Sequence, residues 1–332
     1  SMPTFFWVCR HLFQLNPLGY HLVSFVFHLF NSVILGYIIF LLFKNKLASA
    51  VCSLMYATAS FHYMSISWLS LAWVQISNFF LLLSFLFFII QIKFKLKIFS
   101  SLLFFILALF SSEFALTYPI FIVYFSLLKN KFNFRKSFQK NYHLLILSTL
   151  IILIYLMFRL VLFPIPARDS YSLVINFNIL NNIIWYLAWL INIPEVVKYQ
   201  INLSSLIFFK DSTFIEPFKS YLISLLIFQA VFMISLKLVI KKNLNIKLLL
   251  VSIAMFIISL SPVILLKNHG FPYYLSLPSI VWFILIGFYI SRYNNVQNFK
   301  NLILIFTFFI SWFIISLVNI SFTKKTHWVN SE

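Results

Sequence analysis

Carboxylates are almost missing from this 332-residue chain: six Asp and Glu stand against 25 Lys and Arg, and charged residues make up only 9% of the whole. With so few acids, no spacing along the chain reads as a metal-ligand cluster, and a need for a divalent ion stays open. Cysteine is scarce as well. Cys9 and Cys52 form an isolated pair without metal-type spacing, so neither a zinc site nor a disulfide framework follows, and both read as packing residues. Only four glycines occur and no internal repeat is visible, which removes the Gly-broken, inverted-repeat pattern of many transporters. The opening Ser1 to Phe6 lacks the basic region and small-residue cleavage site of a signal peptide.

What is there is apolar. The chain is 62% hydrophobic and 20% aromatic, with a mean hydropathy of +0.99, so its apolar runs must face lipid as well as one another. The expected class is an all-α polytopic membrane bundle. Candidate spans run from Tyr20 to Phe43, Leu47 to Met64, Leu71 to Gln91, Ile98 to Ser112, Phe114 to Leu128, Tyr142 to Phe163, Tyr221 to Ile240, Leu248 to Leu266, Leu275 to Ser291 and Leu302 to Phe322, ten in all. Very short basic turns make sequential helices antiparallel neighbours.

Charge then orients the bundle. Lys44 and Lys46, Lys93 to Lys97, Lys129 to Lys140, Lys241 to Lys247, and Arg292 with Lys300 fall at alternate joints, which marks those joints as cytoplasmic if residues before Tyr20 lie outside. Glu113, Asp169, Glu195, Asp211 and Glu216 fall on the other side. A net charge of +19 therefore describes topology and contact with anionic lipid, not nucleic-acid binding.

Three regions are expected: a transmembrane bundle over 1–163, an external loop and interfacial helix over 164–217, and further transmembrane helices with a short tail over 218–332. The middle region opens at Phe163-Pro-Ile-Pro-Ala-Arg-Asp169, where proline breaks the helix. Ile179 to Ile193 is apolar but short for a span, and Trp185 and Trp189 suggest headgroup depth, so an interfacial helix or a re-entrant pair is expected there, with a paired crossing up to Phe209 as the alternative.

Four polar residues of the first long helix, His21, Ser24, His28 and Asn31, recur at steps of three, four and three and share one face. Such a stripe must face protein or water. Interhelical hydrogen bonding accounts for it as well as function does, and better for Asn31. Glu113, in Ser111-Ser-Glu-Phe-Ala-Leu-Thr-Tyr-Pro119, is too costly to bury alone, so it is either paired, with His62 or Arg159, or used. In the external turn Ser261 to Pro278, Lys267, His269, Tyr273 and Tyr274 offer cations and hydroxyls suited to a phosphate, although an aromatic belt with a snorkelling Lys explains the tyrosines equally. Arg168-Asp169, Lys198, Lys210 and Lys219 add external polar candidates, although most loop charges are merely solvated.

Taken in order, Tyr20-His21, His28, Asn31, Met55-Tyr-Ala57, His62-Tyr63, Trp68, Ser112-Glu113 with Ala115 and Pro119, then Pro262, Tyr273-Tyr274 and Pro278 resemble the multi-spanning GT-C glycosyltransferases, chiefly the protein O-mannosyltransferase and transmembrane-and-TPR O-mannosyltransferase relatives. The likeness covers Leu15 to Pro119 and Leu260 to Pro278; the middle matches in layout only. It implies a sugar donor on a polyprenyl phosphate, a protein or glycan hydroxyl as acceptor, and a site on the extracytoplasmic face of a prokaryotic plasma membrane. On this resemblance Glu113 and His21 line the acceptor side, Lys267, His269, Tyr273, Tyr274, Arg168 and His62 hold donor and phosphate, and His28 and Asn31 form a structural stripe. Relatives carry their catalytic acid in a first external loop that precedes the point where this chain starts, so the chain is expected either to be truncated at its beginning or to lack that base. A transporter or lipid flippase, and an inactive fragment or scaffold, remain the rival readings.

Overall fold

Asparagine starts several of the helices. Asn16 Oδ1 accepts from Leu18 N at 3.1 Å ahead of Pro17, Asn45 Oδ1 accepts from Ala48 N at 2.8 Å, and Asn245 Oδ1 accepts from Leu248 N at 3.0 Å, each satisfying an amide that the first turn leaves free. Lys44, at φ 55°, stops one helix and lets Asn45 begin the next. The computed structural model describes residues 2–162, 178–195, 197–202, 207–208, 212–241, 244–266, 270–293 and 299–328.

The described residues form α1 (Met2–Phe13), α2 (Pro17–Phe43), α3 (Lys46–Thr58), α4 (Tyr63–Ser67), α5 (Ala72–Ile89), α6 (Phe94–Ser111), α7 (Tyr118–Lys129), α8 (Phe134–Leu162), α9 (Asn178–Leu190), α10 (Val197–Gln200), α11 (Ser212–Lys241), α12 (Ile246–Ser259), α13 (Ser261–Ile264), α14 (Ser279–Ser291) and α15 (Phe299–Trp328). A two-residue antiparallel ladder joins β1 (Ile201–Asn202) to β2 (Ile207–Phe208). Six helices among the described residues are long and apolar enough to cross a membrane: α2, α5 with the turn before it, α6, α8, and the apolar parts of α11 and α15. The protein is a membrane-embedded, all-α bundle.

Small residues and hydroxyls set the helix spacing, because apolar packing alone drives little association in lipid. A Cβ on Gly36 would meet Ser53 Cβ at 2.8 Å, and Ser49 Oγ donates to the Gly36 carbonyl at 2.7 Å, so α2 and α3 touch backbone to side chain. Gly287 admits Ile39 in the same way between α14 and α2. Ser84 and Ser101 exchange reciprocal bonds of 2.6 and 2.8 Å between α5 and α6, and Trp312 Nε1 donates to Met55 O at 3.0 Å to tie α15 to α3. Cys9 and Cys52 are buried free thiols.

The basic joints gather at one end. Lys129 Nζ donates to Ile89 O at 2.5 Å, Lys97 and Lys129 lie 4.4 and 5.9 Å from the Phe88 ring centroid, and Lys44 is near enough to repel Lys129. At the same end Tyr293 OH donates to Leu238 O at 2.8 Å, which joins the turn after α14 to the end of α11. The helices end in short 3₁₀ turns at the opposite pole, at Ser60–His62, Leu69–Leu71, Glu113–Thr117 and Pro272–Ser276.

One expectation changes. The span read as Leu47 to Met64 stops at Thr58, whose Oγ1 turns back to Leu54 O at 2.8 Å, and the chain becomes extended at Ala59. Trp185 and Trp189 are buried in protein at 5% and 1% exposure, because α9 packs on the Pro272–Ser276 turn and on α13.

Candidate functional site

The polar stripe of α2 feeds a buried network at this pole. Asn31 Nδ2 donates to Gln75 O and Oε1 at 3.0 and 3.1 Å, Gln75 Nε2 to Ser65 Oγ at 2.6 Å, and Ser65 Oγ to His62 O at 2.8 Å. His28 Nε2 lies 2.9 Å from Ala57 O, its ring 4.6 Å from that of His62, and Tyr56 packs 4.4 Å from His62. His62 Nδ1 lies 3.2 Å from Ser276 Oγ, so the Ser60–His62 and Pro272–Ser276 turns meet through one side-chain pair. All of these residues are buried. Among the described residues His28 Nδ1, His62 Nε2, Asn31 Oδ1 and Asn78 Nδ2 make no well-formed hydrogen bond, although Gln75 lies close enough to His28, and Asn78 to Tyr56, to interact.

Above this network a crevice of about 230 Å³, counted to its open mouth, lies between α5 and the two 3₁₀ turns, with Trp73, Asn78, Ser112, Phe114, Tyr274 and Ser276 among its walls. Its floor, Asn78 and Ser276, is also the roof of the histidine network. Glu113 falls in the chain between the wall residues Ser112 and Phe114. Arg159 Nε, from the end of α8, donates to Glu113 Oε1 at 2.7 Å, with both side chains partly open to solvent. Of the two partners foreseen for this carboxylate, the structure supplies Arg159.

A second crevice, of about 310 Å³ to its mouth, opens on the other side of the Pro272–Ser276 turn. Glu195, only 4% exposed, stands in its wall with Ser60, Tyr63, Trp189, Asn319 and Thr323. Asn192, at φ 64°, closes α9 and builds the wall: its Oδ1 accepts from Ser60 N at 3.1 Å and Ser60 Oγ at 2.6 Å, and its Nδ2 donates to Ser316 Oγ at 2.8 Å. Asn319 Nδ2 donates back to Ser60 Oγ at 2.8 Å and Asn192 O at 3.1 Å. Three residues past Glu195, Lys198 Nζ donates to Gly270 O at 3.1 Å and lies 5.2 Å from the Trp189 ring centroid. Burial lowers the Lys198 ammonium from its ordinary value, and the Glu195 carboxylate works against that shift.

The residues expected at a site thus divide. His28, Asn31 and His62 come together, and His62 meets the turn that carries Tyr273 and Tyr274; those tyrosines are buried and stack against each other at 4.3 Å, with Phe114 5.4 Å from Tyr274. His21 is engaged elsewhere, its Nδ1 3.3 Å from Ile66 O, while Glu113 is held by Arg159. Arg168, Lys267 and His269 lie outside the described residues. Gln75, Asn78, Ser276 and Asn192 were not foreseen, and Glu195 and Lys198 were foreseen only as external charges. Among the described residues no three His, Cys, Asp or Glu side chains converge as a metal site would require.

No family model, curated protein or solved structure matches the chain.

Proposed function

We propose that the protein is a GT-C-type membrane transferase with ten crossings, α2, α3, α5 to α8, α11, α12, α14 and α15, which moves a sugar from a polyprenyl phosphate to a hydroxyl of a protein or glycan on the extracytoplasmic face of a prokaryotic plasma membrane. The observation that carries this reading is the Glu113–Arg159 pair, whose carboxylate falls in the chain between two wall residues of a hydroxyl-lined crevice at the pole opposite the basic joints.

The chemistry needs a base for the acceptor proton, a cation for the departing phosphate, and an oriented acceptor. In this reading the acceptor hydroxyl sits against Asn78 Nδ2, Ser112 and Ser276. A partly exposed ion pair is worth little, about 0–1 kcal/mol, so a lipid phosphate can draw Arg159 away and free Glu113. The acceptor oxygen then forms a bond to the anomeric carbon, the bond from that carbon to the phosphate oxygen breaks with its electron pair leaving on the polyprenyl phosphate, and Glu113 takes the acceptor proton. Lys267, His269 and Arg168 join as phosphate ligands on the strength of the family resemblance alone.

Membranes containing the protein, supplied with labelled polyprenyl-phosphate hexoses and peptide or glycan acceptors, test this. Transfer by the wild type is expected, with loss in Glu113→Gln at unchanged membrane insertion and weaker donor retention in Arg159→Ala. Transfer that survives Glu113→Gln, or no transfer with any donor, contradicts the reading.

A further inference from the structure

The basic pole holds a crevice that the transfer reading does not use. It lies between the first turns of α6 and α8 and measures about 230 Å³ to its mouth, with Lys97 from one helix and Lys140, Asn141 and His143 from the other among its walls. The two lysines are close enough to repel each other. Nothing in the neighbouring chain offsets them, because residues 1–112 and 114–168, which supply α1 to α8, contain no Asp or Glu. Among the described residues neither ammonium has an ion-pair partner; Lys97 Nζ rests on the Phe88 ring, 4.4 Å from its centroid. Like charges held side by side without a counter-ion cost free energy that a bound anion recovers.

Chemistry narrows the ligand. Each lysine presents N–H donors and no acceptor, and His143 adds a ring nitrogen, a set that suits a phosphate. Asn141 has a different part: its Nδ2 donates to Ser126 Oγ at 2.7 Å and Ser137 O at 2.9 Å, which fixes this wall against α7. The enclosed end has room for about one water molecule, so a single phosphate oxygen enters and the rest of the group stays at the mouth. Four residues before each lysine stands another, Lys93 and Lys136, on the same helical face. A headgroup that carries its own ammonium would meet only like charge there.

Depth decides between a lipid and a free ion. The crevice opens where the apolar run of α8 begins, and Leu147, Leu150 and Ile154 continue the face of His143 at steps of four, three and four, exposed at 40%, 49% and 55%. Acyl chains can lie along that stripe while the phosphate reaches the lysines at headgroup level. A free ion has no use for it. From these features we infer that the crevice between α6 and α8 binds an anionic phospholipid from the leaflet at the basic pole, its phosphate held by Lys97, Lys140 and His143.

The test uses the full chain in nanodiscs of equimolar POPG, POPE and POPC, with retained lipid read by native mass spectrometry after release into detergent. The wild type should retain POPG over either zwitterionic lipid by about tenfold, the factor that one charge-assisted hydrogen bond supplies. This comparison needs no variant and so does not depend on any variant folding. Lys97→Gln combined with Lys140→Gln should bring the three lipids to parity, whereas Lys46→Gln combined with Lys247→Gln, which removes two charges of the basic joints outside the crevice, should leave the preference unchanged. Equal retention of POPG and a zwitterionic lipid by the wild type overturns the proposal, as does a preference that survives the crevice pair or falls as far in the control pair. Saturation by inorganic phosphate with no retention of POPG overturns the lipid assignment.

Discussion

Asn192 and Ser60, 132 positions apart, share two hydrogen bonds onto one amide oxygen, from the serine backbone at 3.1 Å and its hydroxyl at 2.6 Å. Through them the end of α9 is fastened to the turn after α3, and Asn192 Nδ2 continues the link to Ser316 on α15. The wall around Glu195 exists because of this one side chain.

Asn192 therefore carries two separable burdens. Asn192→Ala loses three buried side-chain bonds and places a Cβ without polar help at φ 64°, and a loss of roughly 2–4 kcal/mol is expected. Asn192→Gly relieves the backbone but not the bonds, so it should recover about 1 kcal/mol of that loss. Thermal unfolding in detergent reads both, and equal midpoints for the two variants would show that the left-handed backbone contributes nothing.

Helix contact through glycine predicts a different pattern. Gly36→Val meets Ser53 and the Ser49 carbonyl, and Gly287→Val meets Ile39, both with Cβ contacts of 2.8 Å at the tightest. Each should destabilise by about 1–3 kcal/mol, since neither neighbour can retreat without shifting a helix. Because Gly36 faces α3 and Gly287 faces α2 and Cys52, the thiol of Cys52 should become more reactive in Gly287→Val. A thiol as protected as in the wild type would argue against that contact.

Lys198 supplies a pH test. Its folded value lies below the ordinary 10.5, so between the two the unfolded chain binds more protons than the folded one, and stability rises with pH across that window. Lys198→Met removes this titration. The midpoint of the wild type should gain on that of Lys198→Met as the pH rises toward the ordinary lysine value of 10.5. A gap that shrinks over the same range would mean that attraction to Glu195 outweighs burial.

Much of the architecture is written in the chain because lipid leaves the backbone few options. The apolar runs and the alternating lysines mark helices and their ends, and the stripe of His28 and Asn31 could face only protein, where both are buried. Other features depend on partners that local pattern cannot supply. No proline or glycine marks the break after Thr58; the turn there is secured by Asn192 and Asn319, more than a hundred positions away. Those asparagines were easily discounted in a chain so rich in Asn, yet Asn45 and Asn245 cap helices and Asn192 forms a hub. Glu195 looked like any loop carboxylate until Ser60, Trp189 and Thr323 closed around it. Trp189 could not be assigned a partner from the sequence, since an aromatic ring serves a headgroup belt and a protein core equally well.

The central claim is that the acidic pole and the basic joints face opposite compartments, so that a lipid-borne sugar meets Glu113 and the crevice beside it from outside the cell. The buried native thiols, Cys9 and Cys52, leave single introduced cysteines readable. Glu113→Cys and Lys198→Cys should both react with an impermeant maleimide on intact cells, while Lys46→Cys, Lys131→Cys and Lys247→Cys should react only after permeabilisation. Labelling of positions 113 and 198 from opposite sides, or of 113 and 131 from the same side, would contradict the account.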